Sequence, residues 1–287
     1  MEPPKKRKTY YGPFTPENLT RLGLREHPFL PAADPRFLYL SGQHTAVLNR
    51  AQDLINLHEG LGVVEGPIGV GKTLLARRLH NMIDFEDGYR PVFIHTATYN
   101  TPTEATRDIA GAFGRPTRRA QIDQLRDFES FLVELRRQEI NAIVIIDDAQ
   151  KMSPSSLDAI QNFLNFEARV RLIQIVLFAQ PEIHGVFAAN EAVLSRVVSW
   201  QRLSPLPLAD ALEMLRFRCA VAGRSDAFFS ERGVVMIYEE ADGVPRPMVT
   251  IGAEVLRILL EEKAYTAEVE HVEAAIAAYR QRNEASA

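Results

Sequence analysis

The chain has 287 residues, 46% hydrophobic and 24% charged, enough core for one large or two modest globular domains. No apolar run reaches the roughly 18 residues a membrane span needs, and the basic N-terminus lacks the apolar stretch of a signal peptide, so a cytoplasmic location without membrane insertion is expected. One cysteine, Cys219, excludes an intramolecular disulfide and a cysteine-rich metal site.

The net charge of −4 is unevenly spread. Lys5, Lys6, Arg7 and Lys8 against Glu2 give the first ten residues +3, so the rest of the chain carries −7. Residues 1–20 read as a basic flexible arm that suits nucleic acid, an acidic partner or plain solvation. From Leu22 to Leu40, short apolar pieces broken by prolines read as a strap along a domain. Ser41 caps a helix whose Val47, Leu48, Ala51, Leu54 and Ile55 share a face.

Leu61–Glu65 reads as a buried strand. It runs into Gly66-Pro67-Ile68-Gly69-Val70-Gly71-Lys72-Thr73, which fits the phosphate-loop pattern G-x-x-x-x-G-K-[ST], and then into a helix opening at Leu74 and reaching about Ile83. In this pattern the backbone N–H groups cradle phosphates, Lys72 serves the β- and γ-phosphates and the Thr73 hydroxyl takes Mg²⁺. Strands at 91–95, 142–146, 172–179 and 197–203 alternate with helices at 103–112, 121–138 and from Ser153 to about Ala168. That alternation predicts an α/β unit with a parallel sheet. Strand 142–146 ends in Asp147 and Asp148. Asp147 is the candidate metal carboxylate and Asp148 the candidate base. Trp200 and Phe217 read as core. After Pro205 the strand signal stops and helices follow at 208–222, 230–241, 246–262 and 266–281. The predicted organisation is an arm at 1–20, an α/β nucleotide domain at 21–204, an all-helical domain at 205–282 and a tail at 283–287.

Four stretches carry a family resemblance. They are Asp34–Ser41, Asp147-Asp148-Ala149-Gln150, Gln174–Glu182 and Gly243-Val244-Pro245-Arg246. The chain resembles an AAA+ ATPase of the ExeA/GspA type, which is related to the TnsC-like transposition ATPases. The resemblance implies a P-loop NTPase with a helical lid, ATP and Mg²⁺ as cofactors, and a bacterial cytosolic setting. It makes Gln180 a polar residue that orients water, Arg246 a lid arginine reading the γ-phosphate, and Arg196 a finger offered to the next subunit, with Arg169 and Arg171 as rivals. A homo-oligomer follows, a ring or filament of six or more subunits per turn. The family has Asp-Glu where this chain has Asp147-Asp148, so the base is one methylene short and slow hydrolysis is expected.

Two clients fit the resemblance. The first is double-stranded DNA, with a transposase or adaptor as protein partner. It is suggested by Lys5–Lys8 and by Arg115, Arg118 and Arg119, which lie between two helices where ring-forming relatives line their channel. The second is a secretion or pilus assembly acting on protein; relatives in that role continue into a membrane span and a further domain, which this sequence lacks. A weakly catalytic scaffold is a third class. Residues 205–287 carry nine basic and fourteen acidic side chains, so DNA contacts are expected from the α/β domain and the arm.

Overall fold

The computed structural model describes residues 12–30, 34–167, 170–225 and 229–284. They form two compact units, one of residues 40–204 and one joining residues 12–39 to residues 205–284. In chain order the helices and strands are α1 (Pro16–Arg21), α2 (Gly42–Asn56), β1 (Leu61–Glu65), α3 (Lys72–Asp84), β2 (Tyr89–Ile94), α4 (Pro102–Ala112) and α5 (Gln121–Arg137). They continue as β3 (Asn141–Ile146), α6 (Leu157–Leu164), β4 (Ile173–Ala179), α7 (Ile183–Ala188), α8 (Glu191–Leu194) and β5 (Val197–Arg202). The last four are α9 (Leu208–Val221), α10 (Glu231–Glu240), α11 (Pro245–Glu262) and α12 (Val269–Glu284).

The first unit is a parallel five-stranded sheet in the order β2-β3-β4-β1-β5. Strands β1, β3 and β4 are buried along their whole length, which explains their largely apolar sequence. The ends of β1 and β3 come within one strand of each other, because only β4 separates them. An aromatic cluster of Phe113, Phe128 and Phe163 ties α4, α5 and α6 together. Burying each such ring contributes roughly 1.5–3 kcal/mol.

The helix expected from Ser153 to Ala168 is shorter. It begins as a 3₁₀ turn over Pro154–Ser156, and α6 ends at Leu164. The chain then reverses. Leu172 N–H donates to the Phe166 carbonyl, and the Arg171 guanidinium donates to the Leu164 carbonyl at 2.8 Å. A cation on the last carbonyls satisfies the helix end that the sequence pattern alone would have prolonged.

The second unit corrects the expected boundary at residue 21. The strap belongs to the helical unit. Leu22, Leu24, Phe29 and Phe37 are buried in one cluster with residues of α9, α10, α11 and α12. Gly252 of α11 makes room for Phe29, since a methyl there would stand 3.2 Å from the ring. Arg218 of α9 is buried and donates to the carbonyls of Pro28, Phe37 and Leu30 at 2.8, 3.1 and 3.3 Å, with its guanidinium over the Phe37 ring. Apolar burial together with this carbonyl cradle fixes the strap to the helices. No helix among the described residues is long and apolar enough to cross a membrane.

Candidate nucleotide-binding site

Strand β1 delivers the chain to the phosphate loop. Gly69 and Gly71 have φ of +89° and +103°, a region that side chains with a Cβ disfavour. Gly71 stands at the N-cap of α3 with no side-chain cap, which leaves the first-turn N–H groups facing any anion seated there. Gly66 is required by close approach, because a methyl would lie 2.6 Å from the Leu203 carbonyl oxygen. Lys72 is buried, and its Nζ donates to the carbonyls of Gly66 and Pro67 at 2.7 and 2.8 Å. Ile68 sits exposed at the loop tip and Leu74 is half-buried behind it.

A residue that the sequence reading missed supports the loop from outside. His44, buried on the first turn of α2, lies 3.2 Å by Nε2 from the Val70 carbonyl and 2.7 Å by Nδ1 from Ser41 Oγ. The carbonyl can only accept, so Nε2 carries the proton and Nδ1 accepts from the serine hydroxyl. The available signal was a histidine three residues after the helix cap Ser41, facing back toward it.

Strand β3 brings Asp147 to this loop. Its backbone N–H donates to the Ile94 carbonyl, and its buried carboxylate hydrogen-bonds with the Thr73 side chain. Burial pushes the Asp147 carboxyl above the usual range, with Thr73 and the Lys72 charge opposing. Its Oδ1 is buried without a hydrogen-bond partner. A buried orphan oxygen beside a threonine hydroxyl fits Mg²⁺, a hard cation that binds through one or two protein oxygens, phosphates and waters. Among the described residues, no larger His, Cys, Asp or Glu cluster could hold a metal on protein ligands alone.

Asp148 adopts left-handed backbone with φ of +53°. Its carboxylate pairs with Lys151 at 2.8 Å and accepts from Gln150 Nε2 at 3.2 Å. Partial burial raises its pKa, but the bonds from Lys151 and Gln150 outweigh that and hold it below the usual range. Gln150 is the second residue the sequence reading left without a role. Its Oε1 accepts from the Gln180 backbone N–H at 3.0 Å, so one amide links the end of β3 to the end of β4.

The candidate arginines divide. Arg196 donates to the Gln161 carbonyl and to Asn165 Oδ1, against the end of α6. Its rival Arg171 is committed to Leu164 and Glu167, while Arg169 lies outside the described residues. Arg246 is exposed in the first turn of α11. The turn before it requires Gly243, at φ +69°, where a methyl would stand 2.5 Å from the Leu206 carbonyl oxygen. Of the residues expected at DNA, Arg115 grips Asp127 with two bonds of 3.0 and 3.1 Å and lies over the Phe131 ring, while Arg118 holds the same carboxylate at 2.6 Å. These two guanidiniums neutralise Asp127 and stitch the α4–α5 loop to α5. Arg119 is exposed. Lys5, Lys6, Arg7 and Lys8 lie outside the described residues.

A parallel sheet in this strand order, with a glycine-rich loop after β1 and acid at the end of β3, has the fold of an AAA+ P-loop ATPase, followed by a helical region. Residues 55–187 match the family model described as AAA domain. The general secretion pathway protein A of Aeromonas hydrophila is 26% identical over 234 residues, covering 78% of this chain and 41% of that protein. The chain thus spans less than half the length of that relative. Among solved structures, the Aeropyrum pernix ORC2 protein in ADPNP–ADP complexes superposes with a TM-score of 0.63 at 15% identity, over 82% of this chain and 67% of that one. Drosophila ORC bound to DNA gives 0.63 at 15%, over 96% and 68%. The Thermotoga maritima RuvB Holliday junction branch migration motor gives 0.56 at 13%, over 82% and 68%. At such identities the likeness is one of fold.

Proposed function

We propose that the chain binds ATP with Mg²⁺ at the 66–74 loop and hydrolyses it slowly, acting as a nucleotide-dependent switch that assembles into an oligomer. The observation that carries this reading is the buried, unpartnered Asp147 Oδ1 beside Thr73 and within the field of Lys72. Thr73 and Asp147 would hold the metal, which supplies charge neutralisation at the phosphates. Lys72 moves from the loop carbonyls to the β- and γ-phosphates. Asp148 is the base and Gln180 orients the attacking water, with Gln150 fixing both. Arg246 reads the γ-phosphate. A cation in the first turn of a helix opposes the helix dipole, a local cost that supports a role for it in binding an anion. Arg196 serves as the finger for a neighbouring copy.

For the client, our first reading is double-stranded DNA in transposition target selection, with a transposase or adaptor as partner. The exposed Arg119, the basic arm and a fold shared with a protein solved on DNA support it. A second reading, assembly of a secretion system on protein partners, is favoured by the relation to general secretion pathway protein A. The test is imaging of the purified chain with a non-hydrolysable ATP analogue, with and without duplex DNA, beside a phosphate-release assay. Rings or filaments that need both ligands support the DNA reading. Assemblies indifferent to DNA sink it. No phosphate release under any condition removes the hydrolytic part.

A further inference from the structure

Glu65, the residue immediately before the phosphate loop, is a carboxylate with only 2% exposure at the end of a central strand. Such a charge is retained only where it is compensated. Arg202 Nε of β5 and His184 Nε2 of α7 each lie 2.5 Å from one of its two oxygens. Burial pushes its carboxyl up, but Arg202, the half-buried Trp200 indole and His184 outweigh that and hold it below the usual range. His184 stacks on Trp200 at 4.8 Å between ring centroids. Both partner side chains are exposed, so the carboxylate is the fixed point and the surface groups close over it. The backbone repeats the convergence. Leu203 N–H donates to the Glu65 carbonyl at 2.8 Å, and Gly66 N–H donates to the Ala179 carbonyl at 3.2 Å. Strand β1, the chain after β4 and the exit of β5 therefore meet at one buried charge.

We propose that Glu65 is a positioning residue for the phosphate loop: its clamp to Arg202 and His184 fixes Gly66, and through the Gly66 and Pro67 carbonyls the starting place of the Lys72 ammonium. This rests on the ATP reading above and adds a direction to it. The amides at the start of α3 are carried by the helix, and Val70 is held separately by His44. Slackening the Glu65 clamp thus disturbs Lys72 and leaves the helix N-terminus in place. The loss falls on the γ-phosphate end of the nucleotide.

The experiment measures binding of Mg²⁺ with ADP and with a non-hydrolysable ATP analogue to the full chain, for wild type, Arg202→Ala, Arg202→Lys and Glu65→Gln, with thermal melts alongside. The melts show whether Arg202→Ala, which leaves Glu65 with one partner fewer, still folds, and Glu65→Gln reports the clamp without leaving a buried charge. The clamp predicts that Arg202→Ala and Glu65→Gln weaken the triphosphate about tenfold and ADP no more than about twofold, and that Arg202→Lys recovers most of the loss. Equal weakening of both nucleotides, or no change in either, overturns the positioning role while wild-type binding keeps the ATP reading. Wild type that binds neither nucleotide overturns both.

Discussion

Lys151 Nζ stands 2.8 Å from Asp148 Oδ2 and Gln150 donates to the other oxygen, so the candidate base is both shorter than a glutamate and already engaged. A carboxylate held below its usual range accepts a proton poorly, and base strength translates into rate. Lys151→Ala is therefore expected to raise steady-state phosphate release, by about threefold; an unchanged or lower rate would show that Lys151 does not restrain the base. His44 is the corresponding residue for binding. Losing its bond to Val70 removes a buried contact with a net value of about 1 kcal/mol. His44→Ala is expected to weaken ATP-analogue binding about fivefold, read by titration calorimetry, with the sheet unit still folded. The His44 effect was not visible in the chain read as a line, because His44 and Val70 are 26 positions apart.

Among elements, the strap and α9 form the pair most dependent on one side chain. Arg218 satisfies three strap carbonyls from inside the helical cluster, and burial beside them lowers its pKa to about 10. Arg218→Met keeps the volume but strands the Pro28, Phe37 and Leu30 carbonyls. The expected loss is about 3 kcal/mol in urea unfolding of the helical unit; a loss below about 1 kcal/mol would mean that the strap stays bound by its apolar residues alone. The strap also carries His27, whose Nδ1 accepts from the Phe29 N–H at 3.0 Å. Burial first, then the Arg218 charge, lowers its pKa to about 4. The folded state thus binds its proton less readily than the unfolded state, with its ordinary value near 6.5. The stability from neutral His27 is complete above pH 6.5 and is lost as pH falls from there through about 4, amounting to about 3 kcal/mol. Melts at pH 7, 5.5 and 4 should show this slope, and His27→Gln should flatten it.

At the scale of the molecule, the sheet unit is where DNA contact is expected, and its arginines are not equivalent. Arg119→Glu is expected to weaken duplex binding and to reduce its dependence on salt, because each phosphate contact releases counterions. Arg115→Ala should instead lower the melting temperature, since it uncovers Asp127 and the Phe131 ring. A fluorescence binding series at two salt concentrations, run beside melts, separates the two effects. If Arg119→Glu binds DNA like wild type, the loop is not the contact.

The pattern along the chain determined the phosphate loop, the acid at the end of β3 and the parallel sheet. Each is encoded locally, by glycine spacing in one case and by unbroken apolar runs such as Ile143–Ile146 in the others. Tertiary structure alone decided what the charges do. Arg115, Arg118 and Arg218 look alike in sequence, yet the first two close on Asp127 and the third is buried among backbone carbonyls. The strap's allegiance to the helices depended in the same way on Arg218 meeting distant carbonyls, while the early end of α6 rests on Arg171 turning back to the Leu164 carbonyl. Glu65 reads as one more strand residue until Arg202, His184 and Trp200 surround it. A side chain's polarity is local, but its burial and its partners are set by elements far away in sequence, and those decide whether a charge binds a ligand or holds the fold.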